Sequence, residues 1–177
     1  MAFGRQGDAR LAARLSDMGS GDMVVVDVGC GPGVAVRSAA RLGAMVTGVD
    51  PAPVMLRVAR LLTRRSARVR YLKGAAEAIP LPGDSASVVW SIATVHHWAD
   101  IDAGLREVHR LLRSGGRLVA MERRAQRGAR GHASHGWTDE QASAFVDRCR
   151  EHGFTDVRLE RTTSGRRSTV SVIASAP

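Results

Sequence analysis

The chain has 177 residues, 44% hydrophobic and 24% charged, the size and make-up of one globular domain with its own core. No apolar run approaches the roughly 18 residues of a membrane span, the opening Met-Ala-Phe-Gly-Arg-Gln-Gly-Asp lacks the apolar core of a secretory leader, and Cys30 and Cys149 form neither a disulfide framework nor a zinc pattern. A metal-free cytoplasmic protein is expected, whose net charge of +9 comes almost wholly from arginine, Lys73 being the only lysine.

Leu11, Leu15 and Met18 share one face of a helix predicted over residues 8–18, a helix suited to packing on a sheet. Residues 24–34 read Val-Val-Val-Asp-Val-Gly-Cys-Gly-Pro-Gly-Val. The apolar run suits a strand buried on both faces, the glycines a turn, and residues 34–42 a helix. Strand, glycine turn and helix together aim backbone N–H groups at a ligand. The spacing is G-x-G-x-G, and Val34, Ala35 and Val36 stand where a dinucleotide site needs its late glycine, so a nicotinamide-dependent reductase is the outsider. Residues 44–50 form the second predicted strand. Its last residue, Asp50, lies 21 positions after Gly29, where an acid can grip ribose hydroxyls. Pro51-Ala52-Pro53 opens a helix. Residues 57–73 then carry Arg57, Arg60, Arg64, Arg65, Arg68, Arg70 and Lys73 without an acid. Three- and four-residue spacing puts Arg57, Arg60 and Arg64 on one face, read as a solvated face or as a docking stripe for a phosphate-rich partner, since a basic surface releases counterions on meeting a polyanion.

Residues 69–73 are the third predicted strand, 74–87 a loop, and 88–93 the fourth strand. The end of that strand, residues 91–98, faces the crevice where open α/β sheets bind ligands, and it carries His96, His97 and Trp98. An imidazole there can take a proton from an attacking hydroxyl or amine. Residues 100–113 are an amphipathic helix, with Gly115-Gly116 as its stop, and 117–122 a fifth strand. Residues 123–137 hold Arg123, Arg124, Arg127, Arg130, His132 and His135 among small residues, a lid for an anionic substrate or a disordered basic loop. Thr138 and Gln141 make a capping box for a helix to about residue 152. Strands over 153–161 and 169–174, joined by a polar turn at Gly165, close the chain as an antiparallel hairpin.

Asp-Val-Gly-Cys-Gly-Pro-Gly (27–33), Val-Thr-Gly-Val-Asp (46–50), Ala-Glu-Ala-Ile-Pro-Leu-Pro (76–82), Val-His-His-Trp (95–98) and Leu-Leu-Arg-Ser-Gly-Gly-Arg-Leu (111–118) stand in this order. Through these blocks the chain resembles the class I S-adenosylmethionine-dependent methyltransferases, in particular the small type 11 family. The resemblance implies an α/β fold: a Rossmann-like, seven-stranded, mostly parallel sheet with helices on both faces and a C-terminal antiparallel hairpin strand. It implies one S-adenosylmethionine-binding domain over 1–177, with an N-terminal helix in 1–20 and the basic loop or lid at 123–137.

For the cofactor S-adenosyl-L-methionine the resemblance implies that Asp50, followed by Pro51 and Met55, holds the ribose side. Gly29, Cys30, Gly31 and Gly33 bring backbone to the methionine part, and Asp27 orients that loop and receives the amino group. Ser91, Ile92 and His96 would line the methyl-donor region. An acid commonly stands in the family at the position of Ala75, which leaves adenine to Ala76 and Glu77; losing one charged hydrogen bond weakens binding by about 1.5–3 kcal/mol. Ala86-Ser87 likewise replaces the family's Phe-Asp. His97, then His96, is the expected catalytic base, and no metal is expected. The implied acceptor is a small molecule methylated on O, N or C. Asn-Pro-Pro-Tyr and a Pro-Cys nucleophile, which would suit nucleic acid bases, are missing. An RNA or polyanion methyltransferase and a non-catalytic S-adenosylmethionine-binding protein are the alternatives. No membrane partner is expected, and the sparse N-terminal cover suggests a shallow site, a substrate presented by a partner, or a lid supplied by the other subunit of a homodimer.

Overall fold

The structure is a computed structural model that describes residues 2–18, 23–125, 136–165 and 167–177. Helix α1 (Ala2–Leu15) leads into strand β1 (Val24–Val28), α2 (Val34–Arg41), β2 (Met45–Asp50), α3 (Pro53–Leu62), β3 (Val69–Lys73) and β4 (Ala86–Ile92). A short 3-10 turn (Val95–His97) precedes α4 (Ile101–Leu111), β5 (Leu112–Arg123), α5 (Asp139–Glu151), β6 (Thr155–Ser164) and β7 (Arg167–Ser175). The seven strands form one sheet in the order β3-β2-β1-β4-β5-β7-β6. The first five are parallel, while β7 runs antiparallel to both β5 and β6. The expected fold class is the observed one.

Alternation along the central strands feeds two cores. Val25, Val46, Val88, Trp90, Val119 and Met121 face α1, α2 and α3, which supply Ala12, Val36 and Leu56. Val26, Val28, Val89, Leu118 and Ala120 face α4 and α5, which supply Leu105, Val108, Phe145 and Cys149. With both faces covered, β1 and β4 are buried almost throughout and carry apolar residues on both faces, Asp27, Ser87 and Ser91 apart, which is why their sequences lack the alternation of a half-exposed strand.

Helix α1 differs from the predicted span at both ends, running over Ala2–Leu15. Its stop is built by Ser16, which donates to the Ala12 carbonyl (2.7 Å), and by Asp17, whose φ of 48° leaves the helix. The same Ser16 hydroxyl accepts from the indole N–H of the fully buried Trp90 (2.8 Å), tying α1 to the centre of the sheet. Ser16→Ala is therefore expected to orphan that N–H and lower stability by about 1–3 kcal/mol, with the cofactor-side loops untouched. Chemical denaturation measures it.

The glycine pair 115–116 does not stop α4. That helix ends at Leu111, because Leu112 already pairs with Ala86 across the sheet. The pair lies inside β5, where Gly115 donates to the Ala176 carbonyl (3.0 Å), the Ala176 N–H donates to Gly116 (2.8 Å), and Gly115 takes a φ of 71°. Glycine serves there to bend a strand rather than to end a helix. The capping box at Thr138 and Gln141 forms as expected. Helix α3 closes at Leu62, so Arg64 lies beyond the helix and shares no helical face with Arg57 and Arg60.

Candidate active site

The carboxyl ends of β2, β1, β4 and β5 lie side by side, and each ends in or just beside a polar group that the apolar run before it buries. Asp50 ends β2. One of its carboxylate oxygens accepts the Gly31 N–H (2.8 Å), the other the Ala52 N–H at the start of α3 (2.9 Å). A carboxylate has about four acceptor positions, so two remain for a ligand's hydroxyls. Asp50 thus fixes the glycine loop as well as facing the crevice beside Pro51. Met55 follows one turn into α3 and is exposed.

The loop after β1 is clamped from below. Gly29 and Cys30 both donate to the Val49 carbonyl (2.8 and 3.0 Å). Gly29, at φ 75°, has the Thr94 side chain so close that an added Cβ would stand 2.6 Å from it. Gly33, also at φ 75°, leaves room for the Tyr71 hydroxyl, 2.3 Å from a Cβ built there. Both positions need glycine for conformation and for space. Asp27, buried in β1, lines a small cleft with Gly29, Cys30, Val34, Ala35 and Ile92. Gly31 completes the loop at φ 52°.

Burial, with Asp27 and Asp50 nearby, pushes the Cys30 thiol well above its ordinary range, and burial pushes Cys149 up to about 12. A thiol attacks as its thiolate, so neither is a nucleophile at neutral pH. Native protein at pH 8 is expected to react negligibly with a thiol-specific disulfide reagent, and to release two equivalents on unfolding. A fast-reacting native thiol would contradict the placement of Cys30 beneath the loop.

Beyond β4 the backbone turns sharply. Ala93 takes a φ of 56° and donates to the Met121 carbonyl (2.7 Å). Thr94 bonds both the Ser91 hydroxyl (2.8 Å) and the Val28 carbonyl (2.9 Å), joining the β4 turn to the β1 loop. This turn delivers His96 onto Glu122 near the end of β5. The ring Nδ1 lies 3.0 and 2.9 Å from the two carboxylate oxygens, and the His96 backbone N–H reaches one of them at 3.4 Å. Glu122 is 1% exposed, whereas the His96 side chain is 18% exposed. An ionised carboxylate can only accept, so this contact calls for a proton on Nδ1 of His96. His97 is exposed, its ring centroid 4.0 Å from that of His96.

The structure therefore brings Asp27, Gly29, Cys30 and Ile92 around one small cleft, ties Gly31 to Asp50 at the end of β2 and Ser91 to Thr94 beyond β4, and sets His96 against β5, two strands along from β1. Asp50 and Glu122 end strands three places apart, about 14 Å at ordinary strand spacing. Ala75 and Ala76 lie in a tight turn where Ala75 bridges Ala78. Glu77 points its carboxylate at the Ala99 (2.7 Å) and Asp100 (3.2 Å) N–H groups ahead of α4. Glu122 and Thr94 went unmarked in sequence. The signal for Glu122 was an acid closing the apolar run Leu-Val-Ala-Met, the pattern that also marks Asp50. Of the basic segment 123–137, residues 126–135 lie outside the described residues; its two ends pair through Arg123, Ala125 and Trp137 backbone, and Arg124 pairs with Asp139. Among the described residues no cluster of His, Cys, Asp or Glu could hold a metal ion.

Comparison with known proteins agrees with this geometry. A family model described as a methyltransferase domain matches residues 26–120. The chain is 36% identical over 99 residues to a ubiquinone biosynthesis O-methyltransferase of Methylobacterium sp. (strain 4-46), covering 55% of this chain and 40% of that protein. It is 40% identical over 109 residues to a malonyl-[acyl-carrier protein] O-methyltransferase of Serratia marcescens, covering 60% and 41% respectively. The chain thus spans about two fifths of the length of these relatives. Among solved structures, phosphoethanolamine N-methyltransferase 2 of Haemonchus contortus, in complex with S-adenosyl-L-methionine, superposes with a TM-score of 0.79 at 18% identity, covering 97% of this chain and 52% of that one. That likeness is one of fold. The family match spans β1 to β5 and contains the glycine loop, Asp50 and the His96 turn: this chain belongs to the methyltransferase-domain family of type 11, among the class I S-adenosylmethionine-dependent methyltransferases.

Proposed function

We propose that the chain binds S-adenosyl-L-methionine across the ends of β1, β2 and β4 and methylates a hydroxyl group of a small-molecule acceptor. The donor set suits that cofactor. Asp50 has acceptor capacity left for a vicinal diol, buried Asp27 offers a counter-charge to an ammonium, and exposed Met55 offers an apolar surface to a base. When bound, the cofactor supplies a strongly electrophilic methyl on its sulfonium.

The protein's part is alignment and proton removal. Holding the acceptor in line can contribute several kcal/mol, within the roughly 7–11 of ideal cases. The observation that carries the hydroxyl reading is the His96–Glu122 pair. An amine acceptor of ordinary basicity brings its own lone pair once deprotonated, whereas a hydroxyl gains much from a base placed at the moment of attack. Nε2 of His96 would take that proton, and Glu122 would stabilise the imidazolium. On this reading His96 takes the role first expected of His97, which becomes a neighbour at the acceptor's edge. Two relatives named as O-methyltransferases support the same acceptor atom.

Transfer of a labelled methyl group to a panel of dihydroxybenzoates, aliphatic amines and polyuridylate tests the proposal. Label in the phenols is expected. Label confined to RNA, or binding of the cofactor without transfer to any acceptor, would replace this reading with a polyanion methyltransferase or a binding protein.

A further inference from the structure

A helix lying on the outside of a sheet ordinarily turns charge outward. Helix α3 does not. Its inward residues are Leu56 and Ala59, and at 3.6 residues per turn the opposite pole falls on Val54 and Leu61, about 20° apart and two turns from each other. These are 58% and 80% exposed, and Leu62 beside them is 58% exposed. Four of the six exposed large apolar side chains among the described residues sit on this ten-residue helix. Single exposed leucines need no explanation; an apolar outward pole does.

The surroundings are uniformly cationic. Residues 51–76 contain no acid, and seven cations stand between 57 and 73. Elsewhere several arginines meet carboxylates: Arg110 with Glu107, Arg148 with Asp102, Arg161 with Asp139. In this stretch, among the described residues, Arg60, Arg68 and Arg70 donate to the Tyr71 carbonyl, the Gly43 carbonyl and the Thr47 hydroxyl rather than to a carboxylate. Two hollows of about 480 and 410 Å³ flank the helix and share Arg60; Arg64 and Arg65 line the first, Arg57 and Lys73 the second beside Leu61.

We propose that the outer face of α3 rests on an anionic lipid surface, with Val54, Leu61 and Leu62 entering the headgroup layer and lipid phosphates seated in the two hollows. The chemistry on both sides matches: a short apolar ridge gains from leaving water, and each flanking cation gains from the negative surface potential. A second copy of this chain across a two-fold axis would set the cations against themselves. Nucleic acid would satisfy the arginines and leave the leucines in water. A ten-residue ridge is also small beside the roughly 800 Å² per partner of a stable protein interface. No described helix is long and apolar enough to cross a membrane, so the contact proposed is adsorption, a partner that the sequence alone did not lead us to expect. The periodicity of α3 gave no hint of it, because only the fold shows which side faces out.

Co-sedimentation with vesicles tests this without cofactor or acceptor, so it stands apart from the catalytic proposal. Binding is expected to vesicles of one part phosphatidylglycerol to three parts phosphatidylcholine, with little to phosphatidylcholine alone. Raising salt from about 0.1 to about 0.5 M should weaken it at least roughly tenfold. Arg64→Glu with Arg65→Glu should abolish it. Leu61→Ser with Leu62→Ser, which leaves the charge unchanged, should weaken it by roughly tenfold or more, circular dichroism confirming that each variant is folded. Absence of vesicle binding overturns the proposal. So does binding that the leucine pair does not affect while polyuridylate competes, which would make the face a polyanion groove, or tighter binding to polyglutamate, which would make it a protein-docking face.

Discussion

Asp50→Ala is expected to weaken S-adenosylmethionine binding by roughly 10²- to 10⁴-fold. Two hydrogen bonds from ribose hydroxyls to a carboxylate contribute about 1.5–3 kcal/mol each, and each 1.4 kcal/mol is a factor of ten. The same change removes the acceptor of the Gly31 and Ala52 N–H groups, so the glycine loop loosens even without ligand. Asp50→Asn separates the two effects. Its amide oxygen can still accept one of those N–H groups, but its NH2 meets the other donor head-on. Affinity should therefore fall for both variants, while the drop in thermal midpoint is smaller for Asn. Titration calorimetry reads the first and differential scanning the second. An Asp50→Ala protein that bound the nucleoside at wild-type affinity would remove Asp50 from the ribose.

The second large effect is on turnover. Positioned acid–base catalysis contributes about 10²–10⁴-fold, and His96→Gln is expected to lower kcat within that range while leaving cofactor affinity near wild type. Glutamine is the informative replacement. Its amide keeps a side-chain N–H for Glu122, whereas alanine would leave that fully buried carboxylate only the backbone N–H at 3.4 Å and would destabilise the fold. Glu122→Gln should act through the ring: it keeps the shape and removes the charge that fixes the tautomer and stabilises the imidazolium. It should lower kcat less than the histidine change, with KM little altered and the pH dependence of kcat displaced. If His97→Gln, and not His96→Gln, abolished transfer, the base would be the exposed imidazole that the sequence first suggested.

The contrast between those histidines marks what could be read before folding. Strands 1 to 5, the order of the first four elements and the hairpin at the end were legible because their signals are local: apolar runs, a glycine turn, a capping box. Asp50 was legible because its partner loop lies a fixed distance upstream within one strand–helix–strand unit. Glu122 stands 26 residues after His96, with all of α4 and nearly all of β5 between, and only the parallel pairing of β4 with β5 brings them together. The glycines at 115 and 116 misled for a related reason. Glycine after a helix usually caps it, but here pairing of Leu112 with Ala86 decided where the helix stopped. The spacing of Arg57, Arg60 and Arg64 suggested one helical face, either solvated or a docking stripe for a phosphate-rich partner. In the fold α3 ends too early for that, and its outward pole is apolar.

Calorimetric titration of the wild-type chain with S-adenosylhomocysteine tests the central claim most directly, because the product nucleoside binds without turning over. One site with a dissociation constant in the micromolar range is expected, and NADH should give no heat. Absence of binding below millimolar nucleoside would contradict a cofactor seated across the ends of β1 and β2.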